Sequence, residues 1–284
     1  MKIVGQLEQL LITGKPYSQG LVHHIYRDGD LIFKVAKINF PDFNTLEHYL
    51  IEKNSLNKLT TLGIPVPPTI TVNTKIINNK EVFYITESFV DGIQYNWEEL
   101  SLRALINMNI IYTKIHQVEV KNFGPLNSNL EGSFLSWHDY ISSIVNNSKF
   151  LGKENKKKVN NIVDKFSLYL DTVSTPRLIF VDFNPGNIFF NRTDDVVGII
   201  DIDHPIGGDP LYDFASVKWY NPKTYEKFKN DVTKFSSSDE KIIDFYCLIQ
   251  AINIMDWMNK HNLVIFNEKD QFSAQQDLVE KNLK

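Results

Sequence analysis

The chain has 284 residues, with 30 Lys and Arg against 34 Asp and Glu, a formal net charge of -4 and a single cysteine. This near balance argues against nucleic-acid binders and basic membrane-surface proteins, because both rely on clustered cations. One cysteine excludes an internal disulfide and a cysteine-based zinc knuckle. Residues 1–10 lack a signal-peptide pattern, and no segment reaches the ~18 apolar residues that a membrane span needs. We therefore expect a cytoplasmic protein of one large domain or two lobes that binds neither nucleic acid nor a membrane.

The first ninety residues carry strand signals and one helix. Residues 31–37 and 81–90 are rich in β-branched and aromatic side chains and are bounded by turn formers, which predicts two strands. Between them, leucines recur from residue 46 to residue 59 and the pattern ends at Gly63 and Pro65. This spacing predicts an amphipathic helix, so the front of the chain is expected to be a small sheet with one helix.

Helical spacing dominates after residue 91. A long helix is predicted over 102–116, and the segment 137–170 is also helical, with an interruption at Gly152. The lysine-rich run 153–158 is interpreted as an exposed helix start or loop. From about residue 216 to the end, aromatic and aliphatic residues are spaced as in core-facing helices.

Between these helical regions, two apolar runs flank a polar turn at residues 192–195, which predicts a β-hairpin. Asp182 and Asn187 precede this hairpin, and Asp201 ends its second strand. The hairpin would bring together one proton acceptor and two oxygen ligands for a hard cation such as Mg²⁺. Taken alone, the segment 182–187 is more typical of an ordinary turn than of a catalytic loop.

The spacing of Asp182 and Asn187, the I-I-D sequence ending at Asp201 and the G-D-P-L-Y-D-F-A sequence at 208–215 resemble the aminoglycoside phosphotransferase family of kinase-like small-molecule phosphotransferases. The resemblance extends over most of the chain. It implies an α+β, bilobal protein-kinase-like fold, with a small antiparallel-sheet amino-terminal lobe and a mainly helical carboxy-terminal lobe. Residues 1–91 would bind the nucleotide, and residues 92–284 would carry catalysis and the acceptor.

The resemblance also implies roles for individual residues. Asp182 would be the catalytic base, or would orient the substrate hydroxyl, and Asn187 and Asp201 would hold Mg²⁺. Lys34 would bind the α- and β-phosphates of the nucleotide, and Glu52 would orient Lys34. Phosphoryl transfer depends mainly on positioning and charge neutralisation, so a lysine, two metal ligands and a hydroxyl acceptor form a minimal set.

The nucleotide site is less fully marked in the sequence. Residues 86–92 resemble the family's hinge, so backbone groups near Glu87 and Phe89 are expected to read adenine, with Ile32 as one neighbour of the ring. Gly20 is the only glycine in the segment 17–26, where the phosphate-covering turn is expected. ATP is the default donor, and GTP is the alternative.

The family pattern is broken at Phe180, where relatives commonly carry histidine two positions before the catalytic aspartate. Asp209 is interpreted as a helix cap or as a brace for the catalytic loop rather than a metal ligand. Asp203 is expected to approach the metal, to be exposed to solvent, or to brace the loop. His23 and His24 are expected to be structural or exposed rather than ligands.

The acceptor is the least determined part of the prediction. Residues 1–90 carry 9 Lys and Arg against 8 Asp and Glu, and residues 91–284 carry 21 against 26, which gives +1 and -5. The acidic excess favours a cationic acceptor, first of all an aminoglycoside. A choline, homoserine or sugar kinase and a non-catalytic pseudokinase are the alternatives. Candidate acceptor contacts, each equally interpretable as surface or core, are Asp244, Asp256, Glu268, Asp270, Trp219, Tyr220 and Trp257.

Overall fold

The computed structural model describes residues 15–68, 70–77, 79–182 and 184–263. The chain forms two compact units. The sheet unit comprises the residues up to Gln94 together with Asn127–Asn129 and Asn187–Asp203. The helical unit comprises Tyr95–Leu126, Leu130–Gly186 and the residues from His204 onward. The functional division predicted at residue 91 stays a prediction.

An antiparallel sheet is the main element of the sheet unit. Its five strands in the described residues have the order β1-β2-β3-β5-β4. Their bounds are β1 Ser18–Gln19, β2 His23–Asp28, β3 Leu31–Ala36, β4 Ile70–Ile77 and β5 Lys80–Ser88. In the register, Lys34 on β3 faces Ile25 on β2 and Ile85 on β5. Tyr26, Phe33, Val35 and Tyr84 form an apolar cluster on the sheet.

Helix α1, Leu46–Thr60, belongs to the same unit. The side chain of Thr45 accepts a hydrogen bond from the His48 amide and so caps the first turn. Tyr49 is fully buried, and its hydroxyl accepts a hydrogen bond of 2.8 Å from the Ala36 amide at the end of β3. Because the helix is tied to β3 in this way, side chains on its inner face are held against the strand that carries Lys34.

A two-stranded hairpin completes the sheet unit, with β8 at Ile188–Phe190 and β9 at Val196–Ile199. Ile93 and Phe190 exchange backbone hydrogen bonds of 2.8 Å, and the Ile199 amide donates to Pro65 at 3.0 Å. Gly198 lies so close to Val90 that a Cβ atom there would collide with it. These contacts fix the hairpin on the unit and thereby fix the residues at its two ends.

Helices make up most of the helical unit. Their bounds are α2 Leu102–Ile115, α3 Trp137–Asn147, α4 Lys153–Leu170, α5 Leu211–Tyr220, α6 Pro222–Lys227 and α7 Ser237–Lys260, with a π-helical turn at Phe228–Val232. A small sheet of the order β6-β10-β7 lies in the described part of this unit, with β6 at Gly124–Pro125, β7 at Arg177–Ile179 and β10 at Ile206–Gly208. Ser101, Ser136 and Ser236 cap α2, α3 and α7 with their side chains.

The core of the helical unit contains a buried aromatic group that shares one carboxylate. Trp137 packs edge-on against Tyr212 and Tyr246, and its indole N–H donates to the Tyr246 hydroxyl at 2.7 Å. The hydroxyls of Tyr246 and Tyr169 in turn donate to Asp209 at 2.7 and 2.6 Å. Asp209 also accepts from the Leu211 amide at 3.0 Å, which confirms that it caps α5.

The helix and strand predictions hold for most of the described residues. The strands expected at 31–37 and 81–90 and the helices expected from 46 and 102 are confirmed. The lysine-rich run forms the first turns of α4, so it is a helix start. Strands β2 and β4 were not predicted. The amino-terminal residues 1–14, the end of the predicted carboxy-terminal helical region beyond 263, and Glu268 and Asp270 lie outside the described residues.

In the part of the chain that the structure covers, none of the helices has both the length and the apolar composition required to cross a bilayer.

Candidate active site

A buried ion pair links the central strand to the helix in the sheet unit. The Nζ atom of Lys34 on β3 lies 2.9 Å from both carboxylate oxygens of Glu52 on α1. Lys34 is 4 % exposed and Glu52 is fully buried. A buried pair of this kind adds little net stability. Loss of one partner leaves the other charge buried and unpaired, which lowers the unfolding free energy by about 3–5 kcal/mol. The contact therefore holds the lysine side chain in one direction.

Two further carboxylates lie beside Lys34. The Oδ1 atom of Asp201 accepts a hydrogen bond from Nζ, and the Oδ2 atom of Asp203 lies 4.0 Å from it. Burial alone would lower the pKa of Lys34, but the carboxylates of Asp201, Glu52 and Asp203 outweigh it and hold the pKa well above its usual value. Lys34 therefore stays charged.

The charge state of Glu52 follows from the same contacts. Burial raises the pKa of Glu52, and the Lys34 ammonium opposes that shift. We take the pair as ionised, because both Glu52 oxygens contact an ammonium whose own pKa is raised. Glu52 is thus placed to orient Lys34, as the family resemblance implies.

The hairpin brings Asn187 and Asp201 to the same end of its two strands. Ile188 pairs with Ile199, and the Ile200 amide donates to the Asn187 carbonyl at 3.0 Å, so Asn187 lies beside the residue that precedes Asp201. Asp201 has a φ of 65°. This is a left-handed backbone conformation that residues other than glycine rarely adopt. Its backbone is therefore held in a local geometry that depends on surrounding contacts.

The oxygen donors in this region suit a hard divalent cation. Asn187 and Asp201 offer an amide and a carboxylate, which are ligand types that Mg²⁺ accepts. The carboxylates of Glu52, Glu87, Asp201 and Asp203 all act electrostatically on the single Lys34 ammonium or on one another. Several carboxyl groups thus lie around the Lys34 ammonium, and the oxygen donors fit Mg²⁺.

Glu87, near the end of β5, is a buried carboxyl group within this region. It is 4 % exposed, and its Oε1 atom has no hydrogen-bond partner among the described residues. Burial raises the pKa of Glu87 to about 7, with Lys34 opposing and Asp201 adding to the shift. The sequence prediction considered only the backbone here. An acidic residue directly after the apolar and hydroxylated run 82–86 is the signal that points to its side chain.

Phe89 and Gly20 occupy the other predicted nucleotide positions. The Phe89 amide donates to the Asp30 carbonyl at 2.8 Å, so this donor is already used within the sheet. The Arg27 guanidinium lies 3.5 Å above the centre of the Phe89 ring. Gly20 lies in the turn between β1 and β2, and the nearest heavy atom to an added Cβ would be the His23 carbonyl oxygen at 3.8 Å. Local packing therefore does not require glycine there.

Asp182 lies in an exposed loop of the helical unit, after β7. Its Oδ1 atom accepts a hydrogen bond of 3.0 Å from the side-chain nitrogen Nδ2 of Asn184. The preceding residue, Val181, has a φ of 67°, which is unusual for a β-branched side chain. Such strain persists only where neighbouring contacts enforce it.

Asp213 on α5 supplies those contacts. Its carboxylate accepts hydrogen bonds from the amides of Phe180 at 3.1 Å and Val181 at 2.8 Å. The Nε2 atom of His116, at the end of α2, lies 2.8 Å from the same carboxylate. Phe180 is buried where relatives commonly have histidine, and His116 brings an imidazole to the base of this loop from another element. Of the two roles considered for Asp209, cap or brace, the brace is therefore provided by Asp213.

A second set of polar contacts holds the same loop through Ser216 on α5, which Gln250 on α7 supports in turn. The Ser216 hydroxyl lies 2.7 Å from the Val181 carbonyl and 2.9 Å from the Gln250 side-chain oxygen. Gln250 also donates to the Tyr212 carbonyl at 2.6 Å. Sequence reasoning missed Ser216 and Gln250, because their role depends on α5 packing against α7 and leaves no motif.

Two of the acidic residues considered for the acceptor, Asp244 and Asp256, have partners inside the helical unit. Asp244 is buried and forms an ion pair with Lys218. Asp256 accepts hydrogen bonds from the amides of Lys149 and Phe150 at 2.7 and 2.8 Å, so it caps a chain reversal. Trp257 lines an open cleft together with Asp256 and Asn253, whereas Tyr220 is exposed.

Comparisons with known proteins bear on the family and the fold of the chain. Residues 15–229, about three quarters of the chain, match the phosphotransferase enzyme family. The sequence has no match among curated proteins. A thermostable mutant of aminoglycoside phosphotransferase APH(4)-Ia in its apo form has a TM-score of 0.71 at 14 % identity and covers 94 % of both chains.

Two other solved structures share the fold. A mutant of aminoglycoside 2′-phosphotransferase-IIIa in complex with GDP has a TM-score of 0.60 at 14 % identity, with 99 % of this chain and 97 % of that chain covered. Choline kinase LicA from Streptococcus pneumoniae has a TM-score of 0.62 at 16 % identity, with 99 % and 98 % covered. These likenesses establish an α+β, protein-kinase-like fold. Together with the family match, they show that the chain is a member of the phosphotransferase enzyme family.

Proposed function

We propose that this protein is a Mg²⁺-dependent O-phosphotransferase that moves the γ-phosphoryl group of ATP to a hydroxyl group of a small molecule. The observation that carries the proposal is the buried Lys34 ammonium, held by Glu52 and Asp201 on one face of the sheet. A fixed cation is what phosphoryl transfer needs, because the reaction consists mainly of positioning and charge neutralisation.

Each residue of the proposed site has one role. Lys34 binds the α- and β-phosphates, and Glu52 keeps its ammonium oriented. Asp182 accepts the proton that the acceptor hydroxyl loses as its oxygen attacks phosphorus. Asn187 and Asp201 hold Mg²⁺, which supplies neutralising charge to the phosphates when bound. The turn at Gly20 covers the phosphates with backbone N–H groups.

ATP is the proposed donor, with GTP as the alternative. Structures of the same fold contain AMP-PNP or ADP in APH(4)-Ia and GDP in aminoglycoside 2′-phosphotransferase-IIIa. Both purine classes therefore occur on this fold. The base is assigned to the region of Glu87 and Phe89, at the end of β5 beyond Lys34.

An aminoglycoside-type antibiotic is the first acceptor to test. APH(4)-Ia was solved with hygromycin B, and the acidic excess of residues 91–284 suits a cation. The choline kinase LicA has the same fold, so a metabolite kinase that acts on choline, homoserine or a sugar is the second candidate. In either case, the nucleotide belongs to residues 1–91 and the acceptor to 92–284. The predicted cytoplasmic location is part of this proposal.

Nucleotide consumption by the purified protein, measured against a panel of acceptors, tests the proposal. Turnover with an aminoglycoside supports the first candidate, and turnover only with choline, homoserine or a sugar supports the second. Asp182→Asn should abolish turnover and leave nucleotide binding intact. Asp194→Asn, in the hairpin turn at a φ of 61° that asparagine tolerates, is the matched control.

A nucleotide-binding pseudokinase is the remaining alternative. It predicts nucleotide binding without consumption of nucleotide across the whole panel. It also predicts that Asp182→Asn changes nothing that can be measured. Full turnover in the Asp182→Asn variant would refute the catalytic role of that residue.

A further inference from the structure

Glu87 lies on the face of the sheet that carries Lys34. The register pairs Lys34 with Ile85 and Ile32 with Glu87 across β3 and β5. Residues paired directly across two strands project to the same face, and alternate residues along one strand do so as well. Glu87 is therefore displaced along the sheet from Lys34 by two residues, about 7 Å at the usual rise of a strand.

The carboxyl group of Glu87 lacks a hydrogen-bond donor. Its Oε1 atom is buried and has no partner among the residues that the structure describes. The nearby charges do not replace such a donor, because Lys34 bonds to Glu52 and Asp201 instead. A buried acceptor without a donor is unfavourable, and a ligand that donates to it recovers that free energy. The pKa of about 7 is consistent with a carboxyl group that is short of donors.

The expected ligand places a donor at this position. If the phosphates lie at Lys34, the ribose spans the distance along the strand and the base comes to the end of β5. The Phe89 amide already donates to Asp30, so it does not serve a base. Adenine carries an exocyclic amino group at position 6, where hypoxanthine and guanine carry a carbonyl oxygen. A carboxylate placed at position 6 accepts a hydrogen bond from the amino group and is repelled by a carbonyl oxygen. The N1–H donor of hypoxanthine and guanine lies at the neighbouring ring position, so these bases would have to shift to reach the carboxylate.

We propose that the side chain of Glu87 selects the nucleobase, with its free oxygen accepting a hydrogen bond from the 6-amino group of adenine. This inference rests on the proposed function and deepens it, because it assigns base selection to a side chain in a region expected to use backbone groups. Rejection of a base that leaves a buried acceptor unpaired is typically strong.

Binding of ADP, IDP and GDP, measured by calorimetry at pH 8, tests this assignment without catalysis. We expect the unaltered protein to bind ADP at least tenfold more tightly than IDP or GDP. Glu87→Met should bring the ADP to IDP affinity ratio close to one. Glu87→Gln, whose amide can also donate to a carbonyl oxygen, should lower that ratio. Glu81→Gln, at an exposed site near the start of β5, should keep the original ratio.

Three results would contradict the assignment. They are an unchanged ADP to IDP ratio in both Glu87 variants, equal affinity of the unaltered protein for ADP and IDP, and tighter binding of GDP than of ADP. In all three cases the nucleotide still binds, so the proposed function survives. Failure of the unaltered protein to bind any of the three nucleotides would instead overturn the proposed function and this inference with it. If Glu87→Met does not fold, the near-isosteric Glu87→Gln decides.

Discussion

Replacing Glu87 with glutamine should make the protein more stable at neutral pH, and the gain should depend on pH. The ordinary pKa of this glutamate is 4.5, and burial raises it to about 7 in the folded protein. Between these two pH values, the folded protein keeps a proton that the unfolded chain has released. The free energy of unfolding therefore falls as the pH rises through this interval. Below it both states are protonated and above it both are ionised, so the loss is complete near pH 7.

The size of the effect follows from the two pKa values. A difference of one in pKa corresponds to 1.36 kcal/mol, so the rise from 4.5 to about 7 removes about 3 kcal/mol of stability at pH 8. Glutamine does not titrate and has nearly the same shape. The difference in unfolding free energy between Glu87→Gln and the unaltered protein should therefore grow by about 3 kcal/mol in favour of the variant between pH 4.5 and pH 8.

Urea unfolding followed by circular dichroism at several pH values between 4.5 and 8 measures this difference. Glu81→Gln is the control, because Glu81 lies on the same strand and is exposed. We expect the difference in unfolding free energy between Glu81→Gln and the unaltered protein to stay constant across the same pH range. A flat profile for Glu87→Gln as well would show that the Glu87 carboxyl finds a donor in solution, and the argument from burial would be wrong.

Four further changes test other parts of the structure. Glu52→Gln should lower the unfolding free energy by about 3 kcal/mol, because Lys34 loses a buried partner. In urea unfolding, the double variant Lys34→Met with Glu52→Leu should lose less unfolding free energy than the sum of the losses in the two single variants. Simple additivity would argue against the pair. Asp213→Ala should lower the unfolding free energy by about 2–4 kcal/mol, since two loop amides and His116 lose their acceptor. Turnover should fall more than nucleotide affinity. Equal losses in kcat and affinity would count against a brace for the Asp182 loop. Asp201→Ala should weaken nucleotide binding in the presence of Mg²⁺ far more than in EDTA, as calorimetry would show, and an equal effect in both would exclude a ligand role. Gly208→Ala should destabilise the helical unit by about 1–3 kcal/mol, because its Cβ would collide with the Trp137 ring; an unchanged melting temperature would show that the ring moves freely.

The residues with a fixed spacing in the sequence could be placed before the structure was known. Lys34 and Glu52 come from a predicted strand and a predicted helix, and the structure joins them at 2.9 Å. Asn187 and Asp201 were assigned to the two ends of a hairpin, and the hairpin aligns them through the Ile200 amide. Local pattern was sufficient in both cases, because each element has a clear periodicity. Their roles in binding and catalysis, like that of Asp182, remain predictions.

Other features depend on contacts that no local pattern encodes. Strand β4 contains Asn73 and Lys75 and alternates between partly buried and exposed residues, so its sequence has no long apolar run. Asp209 and Asp213 follow one another closely in one motif, yet only Asp213 reaches the loop amides, whereas Asp209 caps α5 and binds two tyrosines. Which carboxylate takes which role is decided by the packing of α5, and this explains why the sequence left both a cap and a brace open for Asp209.

The contact between Asp201 and Lys34 couples two ligands of the proposed reaction. If Asp201 holds the metal ion as proposed, Mg²⁺ and the Lys34 ammonium would compete for the same carboxylate. Mg²⁺ bound by Asp201 would then weaken the hold of this carboxylate on Lys34 and leave the ammonium to the phosphates. Under the proposed function, metal and nucleotide binding would thereby be thermodynamically linked through Asp201 and Lys34, and each ligand would raise the affinity of the protein for the other by the same factor.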